Sequence, residues 1–406
     1  MNKKKIINDP VYGFVTIPSE LIYDIINEPV FQRLRRIKQL GLTEYIYPGA
    51  NHTRFHHAIG AMHLMTEALN NLRQKGQHIW DLEFEAACLA ILLHDIGHGP
   101  FSHALEHTIL KNVPHEQISL TIMHQLNEKY DGRLSLAIEM FQNNYNRPFF
   151  YQLISSQLDI DRLDYLQRDC YFTGVSEGTI GSERIIKMMD VVDEQLVIEE
   201  KGIYSIENFL NARRLMYWQV YLHKTSVATE QMLISIINRA QELAQNDIEV
   251  FATPCLNRFL TNQITQEDLI SKKEVLNDFI GIDDADIWGS LKVWMHHDDF
   301  VIRSLSKKLL NRQLLKVELN SEKTSKKIKA ELLKKVQQDL NLSKKEASYF
   351  IPHGEVSNAA YIAKGQSIQI KMKNGELKDI ADASDLPNIK AITKIVKKYY
   401  VCYPKP

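Results

Sequence analysis

Cysteine is scarce in this chain: four of its 406 residues are cysteines, and they lie far apart with no CxxC spacing. This usage predicts reduced, mostly buried thiols in a cytoplasmic protein. The sequence also lacks an uninterrupted apolar run of about 18 residues, so we expect no membrane span. The N-terminal MNKKKIINDP contains lysines but no apolar region, and it is therefore not expected to be a signal peptide.

Net charge is nearly absent as well. The 49 Lys and Arg residues almost balance 50 Asp and Glu residues, which leaves a formal charge of −1, so no overall field favours a nucleic acid or a membrane. Neither a P-loop nor a GxGxxG motif occurs, which excludes the sequence patterns of nucleotide kinases and dehydrogenases. The remaining composition is that of an ordinary globular protein, long enough for one main domain and a smaller one.

The most informative stretch that is present is HDIGHGPFSH, residues 94–103. It follows FEAACLAILL, residues 84–93, whose apolar character on every side predicts a buried helix. Gly97, Gly99 and Pro100 predict the end of that helix. Because buried imidazole and carboxylate groups are costly without partners, this cluster of them predicts a divalent-metal site.

Other motifs place further polar side chains on predicted helices. His56 and His57 are neighbours, so a helix turns them about 100° apart and they cannot both face one site. Residues 158–169, LDIDRLDYLQRD, predict a helix with Asp161, Tyr165 and either Arg168 or Asp169 on one face. That face belongs either to a plain surface helix or to a functional site, and the site is the favoured interpretation.

Together these residue types indicate water activation on a metal next to bound phosphate. His103, backed by Glu106, has the chemistry of a general acid or base. Arg54, Arg162 and Arg213 offer the planar forks that bind phosphate. The sequence therefore predicts hydrolysis of a phosphate ester or anhydride.

The remaining chain predicts mostly helices. We expect a hairpin or extended arm over residues 6–17, two helices over 19–40 split by Pro29, a hairpin turning at Lys201-Gly202, and one long helix over 206–244. Alternation over 367–372 and 399–403, with Asn374-Gly375 as a turn, predicts strands near the C-terminus.

The fold class is therefore mainly α, with a main helical domain and N-terminal arm over residues 1–304. A small α+β C-terminal lobe over 305–406 is basic at its start, since residues 303–345 hold 13 Lys or Arg against 4 Asp or Glu. A solvated helix or linker is the favoured interpretation of this basic segment, and a polyanion or nucleotide contact is the alternative.

Seven motifs carry a resemblance to a known family: NDPVYG, FQRLRRIKQLG, YPGANHTRFHHAIG, HDIGHGPFSH, HEQ, DIDRLDYLQRD and YLHK. The chain resembles the HD-domain deoxynucleoside triphosphate triphosphohydrolases, most closely those whose vertebrate members carry an added SAM domain. The resemblance runs from about residue 6 to 225 and returns more weakly in the C-terminal strands. It implies a mainly helical HD-domain fold and cleavage of a dNTP to deoxynucleoside and inorganic triphosphate, and we expect no SAM domain ahead of the motifs.

Site residues follow from the resemblance by position. It implies that a divalent cation (Mn, Mg, Fe, Co, Ni or Zn) is held by His57, His94, Asp95 and Asp161. It implies that His103 is catalytic, that His98 contacts the α-phosphate, and that His115 and Glu106 support them, with Glu106 in place of the family's Asp. The implied substrate contacts are Gln39, Leu40, Arg54, Arg162, Tyr165, Asp169, Arg213, Tyr217 and Tyr221; among these, Leu40 and Tyr221 are implied to exclude a 2′-hydroxyl.

The resemblance also implies a regulatory nucleotide site, formed by Lys5, Asn8, Asn27, Gln32 and Arg35. Asn27 stands where vertebrate-like members read guanine with an Asp. Because an amide both donates and accepts, Asn27 favours adenine, and we expect dATP as effector with dGTP as the main substrate. Two further residues depart from the family pattern. His56 replaces the acid usual beside the metal-binding histidine and is not expected to be a ligand. Leu222 replaces a polar residue near the base, so the resemblance leaves the choice of base open.

The expected partners are deoxynucleoside triphosphates and further copies of the chain, as a tetramer or dimer. Two other interpretations stay open. One is an HD phosphohydrolase that acts on another nucleotide, and the other is a non-catalytic scaffold that binds a nucleotide or nucleic acid. A nucleic-acid partner is the less favoured interpretation.

Overall fold

The structure is a computed structural model that describes residues 5–110, 113–358, 367–386, 389 and 396–405, without the side chains of His103, His107 and Asn358. Helices dominate these residues, as the sequence predicts. No helix among them is long and apolar enough to cross a bilayer. The helices are α1 (Glu20–Ile26), α2 (Pro29–Gln32), α3 (Arg54–Gln74), α4 (Asp81–Leu93), α5 (Glu106–Ile109), α6 (His115–Lys129), α7 (Ser135–Phe141), α8 (Pro148–Ile154), α9 (Ile160–Thr173), α10 (Ser182–Met188), α11 (Ile203–Met216), α12 (Lys224–Ala244), α13 (Pro254–Thr261), α14 (Gln266–Ser271), α15 (Lys273–Gly281), α16 (Asp284–Trp294), α17 (Phe300–Leu310), α18 (Lys326–Leu340), α19 (Lys344–Ser348) and α20 (Ile380–Ala383).

Three small β-sheets accompany the helices in the described part of the chain. The described strands are β1 (Ile6–Asp9), β2 (Gly13–Thr16), β3 (Met189–Val192), β4 (Gln195–Glu199), β5 (Lys316–Asn320), β6 (His353–Asn358), β7 (Gln369–Lys371), β8 (Leu377–Asp379) and β9 (Val396–Tyr403). They form a β1-β2 hairpin, a β3-β4-β7-β8 sheet and a β5-β9-β6 sheet. Strand β7 pairs with β4 in parallel, so a C-terminal strand completes a sheet begun in the middle of the chain. The boundary at residue 305 stays a prediction.

The centre of the helical body is α4. It is apolar on every side, and its residues from Ala86 to Leu93 are buried, as the sequence predicts. Helix α3 packs against both α4 and α9. Because α4 ends at Leu93, the polar residues that follow it emerge inside the body, facing α3 and α9.

Two helix predictions are wrong in detail. The second helix of residues 19–40 stops early: α2 is followed by a 3₁₀ turn over Arg33–Arg36 and by extended backbone at Ile37. The long helix over 206–244 is broken into α11 and α12 by a π-helical turn over Tyr217–Tyr221. His223 then caps α12 by accepting from the backbone N–H of Thr225. Apolar periodicity does not distinguish such a turn from continuous helix.

The predicted hairpin within 190–206 exists, but its turn lies elsewhere. Strands β3 and β4 are joined through Asp193 and Glu194, which both have positive φ, as a tight two-residue hairpin turn requires. Lys201-Gly202 instead belongs to a 3₁₀ turn at Glu200–Gly202. The position of glycine was therefore a misleading signal for this turn.

The predicted N-terminal hairpin is confirmed, and it is anchored to the body by charge. Asp9 ends β1, and its carboxylate accepts from the backbone N–H groups of Val11 and Tyr12 at 2.9 and 3.1 Å. Arg168 on α9 donates to the same carboxylate at 2.9 Å, and to Asp164 at 2.9 Å. This ion network lies against α3 at Gly60, where a Cβ atom would stand 2.0 Å from Arg168 Nη2 and 2.1 Å from Asp164 Oδ1.

We expect Gly60→Ala to destabilise the protein by about 3 kcal/mol, because it overpacks a buried ion pair. Gly289→Ala in α16 is the matched control, since nothing lies within 4 Å of its Cβ position. Urea denaturation monitored by circular dichroism measures both. Equal free energies of unfolding for the two variants would contradict the close packing of α3 on α9.

Candidate active site

The four predicted metal ligands converge at the centre of the body. His57 lies on α3, His94 and Asp95 follow α4, and Asp161 lies in the first turn of α9. His57 Nε2 is 3.1 Å from Asp161 Oδ1, 3.4 Å from His94 Nε2 and 3.6 Å from Asp95 Oδ2. His94 Nε2 is 3.4 Å from both Asp95 Oδ1 and Asp161 Oδ1. One ligand atom each from His57, His94 and Asp161 lies within 4.8 Å of the others, which suits a metal ion, and Asp95 forms an adjoining group of the same kind with His98 and His115.

The histidine rings are oriented from behind. His57 Nδ1 lies 2.7 Å from Asp164 Oδ2, and His94 Nδ1 lies 2.6 Å from the carbonyl oxygen of Ile91. Both contacts leave Nε2 directed at the cluster, the arrangement that metal-binding histidines commonly have. Asp164 and its partner Arg168 were missed as orienting residues by the sequence reasoning, which expected either Arg168 or Asp169 on the face of Asp161. Their spacing of three and seven residues from Asp161 was the signal.

The electrostatics of the cluster suit a divalent cation. Burial alone would raise the pKa of the Asp95 carboxyl, but Arg54 and His94 hold it well below its usual range. Burial is likewise outweighed at Asp161, whose pKa is lowered by the imidazoles of His57 and His94. Asp161 and Asp164 raise the pKa of His57 to about 10 against the effect of burial. A donor set of two nitrogens and two charged carboxylates fits Mn, Fe, Co, Ni, Zn or Mg.

Next to this cluster lie the three arginines predicted to bind phosphate, which are buried or half-buried. Arg54 pairs with Asp95 and donates through Nε to Ser102 Oγ at 2.8 Å. Arg162 pairs with Asp159, and Arg213 donates to Gln157 Oε1 at 3.2 Å. The Nε atoms of Arg162 and Arg213 are buried without a hydrogen-bond partner. Unpaired N–H groups on buried guanidinium groups favour an anionic ligand.

The predicted acid–base residues lie next to Asp95, whose Oδ1 is 3.4 Å from His98 Nε2. The rings of His98 and His115 stack with centroids 3.8 Å apart, and Glu106 Oε1 lies 2.6 Å from His115 Nδ1. Burial, followed by the charge of Arg54, lowers the pKa of His98 well below its usual value, so this imidazole is neutral at pH 7. The side chain of His103 lies outside the described residues, and its role, including its support by Glu106, stays a prediction.

An aromatic and carboxylate cluster gathers most of the predicted sugar contacts. Tyr221 donates its hydroxyl to Asp169 Oδ2 at 2.7 Å, and its ring packs on Tyr165 and Tyr217 with centroid distances of 6.2 and 5.2 Å. Asp169 Oδ1 lies 2.7 Å from Nε2 of the buried His52. His52 lies in the YPGANHTRFHH stretch but was missed by the sequence reasoning.

Gln39 joins this cluster through its backbone. Its N–H donates to the carbonyl oxygen of His52 at 3.1 Å, and its side-chain oxygen Oε1 is buried without a hydrogen-bond partner. Leu40, the next residue, is half-buried against the core. The π-helical turn over 217–221 places both tyrosines on the same side, and such turns occur often at functional sites.

His56 behaves as the helical geometry predicts. Its Nδ1 lies 2.9 Å from Thr53 Oγ1 and accepts from the Thr53 N–H at 3.2 Å, so it caps α3 and turns away from the cluster. It is half-buried, and only His57 of the two neighbours faces the cluster, as the sequence predicts.

The predicted effector residues lie around α1 and α2. Lys5 Nζ is 3.5 Å from the ring centroid of Tyr23, and Asn27 Nδ2 donates to the Tyr23 carbonyl oxygen at 2.7 Å. Arg35 donates to Gln32 Oε1 at 2.8 Å and lies over the Phe55 ring at 3.5 Å from its centroid. The fifth residue is Asn8, which is exposed on β1.

Comparison with known proteins gives the family. The HD domain matches residues 54–169, and the HD associated region matches residues 180–254. The uncharacterized protein YwfO of Bacillus subtilis is 35% identical over 329 residues, which cover 79% of this chain and 73% of that protein. The SAMHD1 homolog of Dictyostelium discoideum, a deoxynucleoside triphosphate triphosphohydrolase, is 32% identical over 59% of this chain, which spans only 50% of that relative's length.

A solved structure agrees with these matches. The crystal structure of a phosphohydrolase from Bacteroides thetaiotaomicron superposes with a TM-score of 0.96 and 54% sequence identity, and the match covers 99% of this chain and 100% of that one. The HD match begins at Arg54 and ends at Asp169, so it encloses all four residues of the central cluster. The chain therefore belongs to the HD-domain phosphohydrolases, with the HD associated region that follows the domain in this family.

Proposed function

We propose that this protein is a metal-dependent deoxynucleoside triphosphate triphosphohydrolase, which releases deoxynucleoside and inorganic triphosphate. The observation that carries the proposal is the contact between the two halves of the site. Arg54 pairs with Asp95, which is itself part of the His57, His94 and Asp161 cluster. A cation-binding group and a phosphate-binding group therefore meet at one carboxylate.

The choice of a deoxynucleotide rests on the second cluster and on the relatives. One surface of the site is both polar and aromatic, since it is formed by Tyr165, Asp169 and Tyr221. A sugar hydroxyl is able to donate a hydrogen bond to a buried carboxylate such as that of Asp169. The Dictyostelium relative is named as a deoxynucleoside triphosphate triphosphohydrolase. We propose that Gln39 and Asp169 bind the 3′-hydroxyl end, while Leu40 and Tyr221 leave no space for a 2′-hydroxyl.

His57, His94, Asp95 and Asp161 would hold the metal. When bound, a divalent metal supplies Lewis-acid activation of the phosphoryl group and of water. In the proposed reaction water adds to the α-phosphorus, the bond to the 5′-oxygen breaks, and that oxygen takes up a proton as the deoxynucleoside leaves.

The chain's own residues position and neutralise the triphosphate. Arg54, Arg162 and Arg213 donate to its oxygens through their planar guanidinium groups. Neutral His98 is able to donate one hydrogen bond to the α-phosphate without a charge of its own. His103 is the proposed proton donor to the leaving oxygen, and the pair of His115 and Glu106 holds this side of the site in place.

Two other functions remain as outcomes of the same assay. An HD phosphohydrolase for another nucleotide would leave dNTPs intact and hydrolyse a monophosphate or an alarmone. A non-catalytic scaffold would bind nucleotide or nucleic acid and release no product.

We propose in addition that the protein is cytoplasmic and forms a homo-oligomer, a dimer or tetramer. A nucleotide would join its subunits by binding at Lys5, Asn8, Asn27, Gln32 and Arg35.

The metal assignment predicts different losses for two variants. Asp161→Ala removes a charged ligand, so bound metal and hydrolysis should fall together. His103→Ala should keep its metal and lose turnover by about a hundredfold or more, since general acid catalysis contributes about that factor. Metal analysis by mass spectrometry and chromatography of the products from each dNTP with Mn or Mg measure both. Parent rates in both variants would show that the site is wrongly assigned.

The sugar assignment predicts that GTP and ATP are poor substrates beside dGTP and dATP. Tyr221→Ala should open space for the 2′-hydroxyl and reduce the ratio of kcat/KM for dGTP over GTP by about tenfold, the order expected when one shape-based contact is lost. Tyr221→Phe is the matched control, because it keeps the ring and loses only the hydrogen bond to Asp169. Equal rates for dGTP and GTP in the parent protein would refute the exclusion.

The effector assignment predicts that added dATP stimulates hydrolysis of dGTP more than GTP does. One N–H of Asn27 is used by the Tyr23 carbonyl oxygen, which leaves Oδ1 and the second N–H for the edge of adenine. Asn27→Asp should shift the preference toward guanine. Initial rates with each effector test this, and a larger stimulation by GTP in the parent protein would rule it out.

A further inference from the structure

Asp284 lies outside both matched family segments, yet it holds two stretches of the active centre at once. It is the first residue of α16 and is 5% exposed. Its Oδ2 accepts from the backbone N–H of Lys38 at 2.9 Å, and its Oδ1 accepts from the backbone N–H of Phe101 at 2.7 Å. Lys38 directly precedes Gln39, and Phe101 lies two residues before His103. One carboxylate therefore fastens a proposed sugar-binding segment and the turn of the proposed acid.

The turn at Phe101 is strained and needs such fastening. Phe101 and Ser102 have φ values of 55° and 53°, so two consecutive residues with side chains occupy the left-handed region. Each such residue costs about 1–2 kcal/mol, and strain of this kind persists only where the surroundings fix the backbone. Asp284 supplies the bond to the Phe101 amide, and Trp288, one turn further along α16, packs edge-on against the Phe101 ring at 5.5 Å between centroids.

The two fastened stretches are also tied directly to each other. Ser102 Oγ donates to the carbonyl oxygen of Lys38 at 2.7 Å while it accepts from Arg54 Nε at 2.8 Å. Gly41, with φ of 51°, lets the chain approach so closely that a Cβ there would lie 3.2 Å from the Phe101 carbonyl oxygen. A shift of either stretch is thus passed to the other and to Arg54.

A buried arginine continues the same brace toward His98. Arg33 is 1% exposed; its Nε donates to the Ile282 carbonyl oxygen at 2.7 Å, and its Nη1 donates to the His98 carbonyl oxygen at 2.9 Å. The segment 282–284 therefore contacts, directly or through Arg33, the backbone on both sides of the Gly99-Pro100 break. No residue of this segment contributes a side chain to the metal cluster.

We infer that Asp284 is a positioning residue, which sets the distance between the sugar-binding segment at Gln39 and the turn that carries His103. Its effect on nucleotides rests on the proposed function, but its effect on the two backbone segments does not. Because displacement of a reacting group by about 1 Å costs about a hundredfold in rate, loss of this carboxylate should impair turnover and sugar discrimination together.

The test compares Asp284→Asn with Asp283→Asn. The first substitution keeps the shape of the side chain but turns an N–H₂ group toward one of the two backbone N–H groups, so one hydrogen bond is lost. Asp283 caps α16 by accepting from the Ala285 N–H at 2.9 Å and pairs with Arg36. Asparagine is an equally good cap, so the control alters charge at the neighbouring position without touching either segment.

Hydrogen exchange measured by mass spectrometry gives the readout that does not depend on substrate. Asp284→Asn should raise exchange in peptides that cover residues 38–41 and 99–104, with unchanged exchange around Asp161 and unchanged bound metal. In kinetics, kcat should fall about tenfold or more, and the dGTP over GTP ratio should fall with it. The ratio does not depend on the fraction of folded enzyme, so general destabilisation cannot produce its change.

Unchanged exchange in both segments would overturn the inference, as would a fall in kcat with an unchanged nucleotide ratio. If Asp284→Asn does not fold, Gly41→Ala tests the same joint from the opposite side, since its Cβ presses on the Phe101 carbonyl oxygen, and the same outcomes apply. A parent protein that hydrolyses no dNTP refutes the proposed function alone, because the exchange experiment still decides the role of Asp284.

Discussion

A chain of buried charges links the N-terminal hairpin to the central cluster, and the placement of α9 depends on it. Asp9 binds Arg168, Arg168 binds Asp164, and Asp164 binds the back of His57. Burial would raise the pKa of Asp164, but Arg168 and His57 bring it to about 2, so this central carboxylate is charged at neutral pH. Removal of one member of such a buried set costs about 3–5 kcal/mol, because it leaves a partner uncompensated.

This constraint explains why one helix serves several parts of the site. Arg168 and Asp164 fix the rotation of α9 about its axis. The directions in which the other side chains of α9 leave the helix are thereby fixed as well. Asp161 then meets His57 and His94, while Asp169 meets His52 and Tyr221. Metal binding would displace the proton of His57, and the two carboxylates of Asp95 and Asp161 would then balance the charge of one divalent cation. The three arginines are the groups proposed to bind the phosphates.

Much of the fold class and the metal site at residues 94–103 could be predicted from local signals, since the buried helix before His94 is apolar on every side and polar groups follow it directly. The complete set of His57, His94, Asp95 and Asp161 came from the family resemblance. Residues whose roles depend on distant partners could not be found in this way. Asp164, His52 and Asp284 act on positions 107, 117 and 183 residues away.

The wrong predictions of the hairpin turn and of the long helix arose because each relied on a local sequence signal alone. Lys201-Gly202 has the composition of a turn, but the chain reverses at Asp193 and Glu194. That register pairs Met189 with Ile198 and buries both against the core. Periodicity across 206–244 is continuous in apolar residues, and it gives no sign of the extra residue that the π-helical turn inserts before α12.

The parallel pairing of β4 with β7 has a consequence for how the chain is made. Ile198 and Ile370 are register partners, so β4 leaves the ribosome long before its parallel neighbour β7 has been synthesised. At synthesis rates of about 5–20 residues per second, the interval is roughly 10–35 s. Throughout that time the nascent chain carries a bare strand edge, the kind of surface that pairs with other chains. Chaperone demand during translation should therefore be concentrated between the emergence of these two strands.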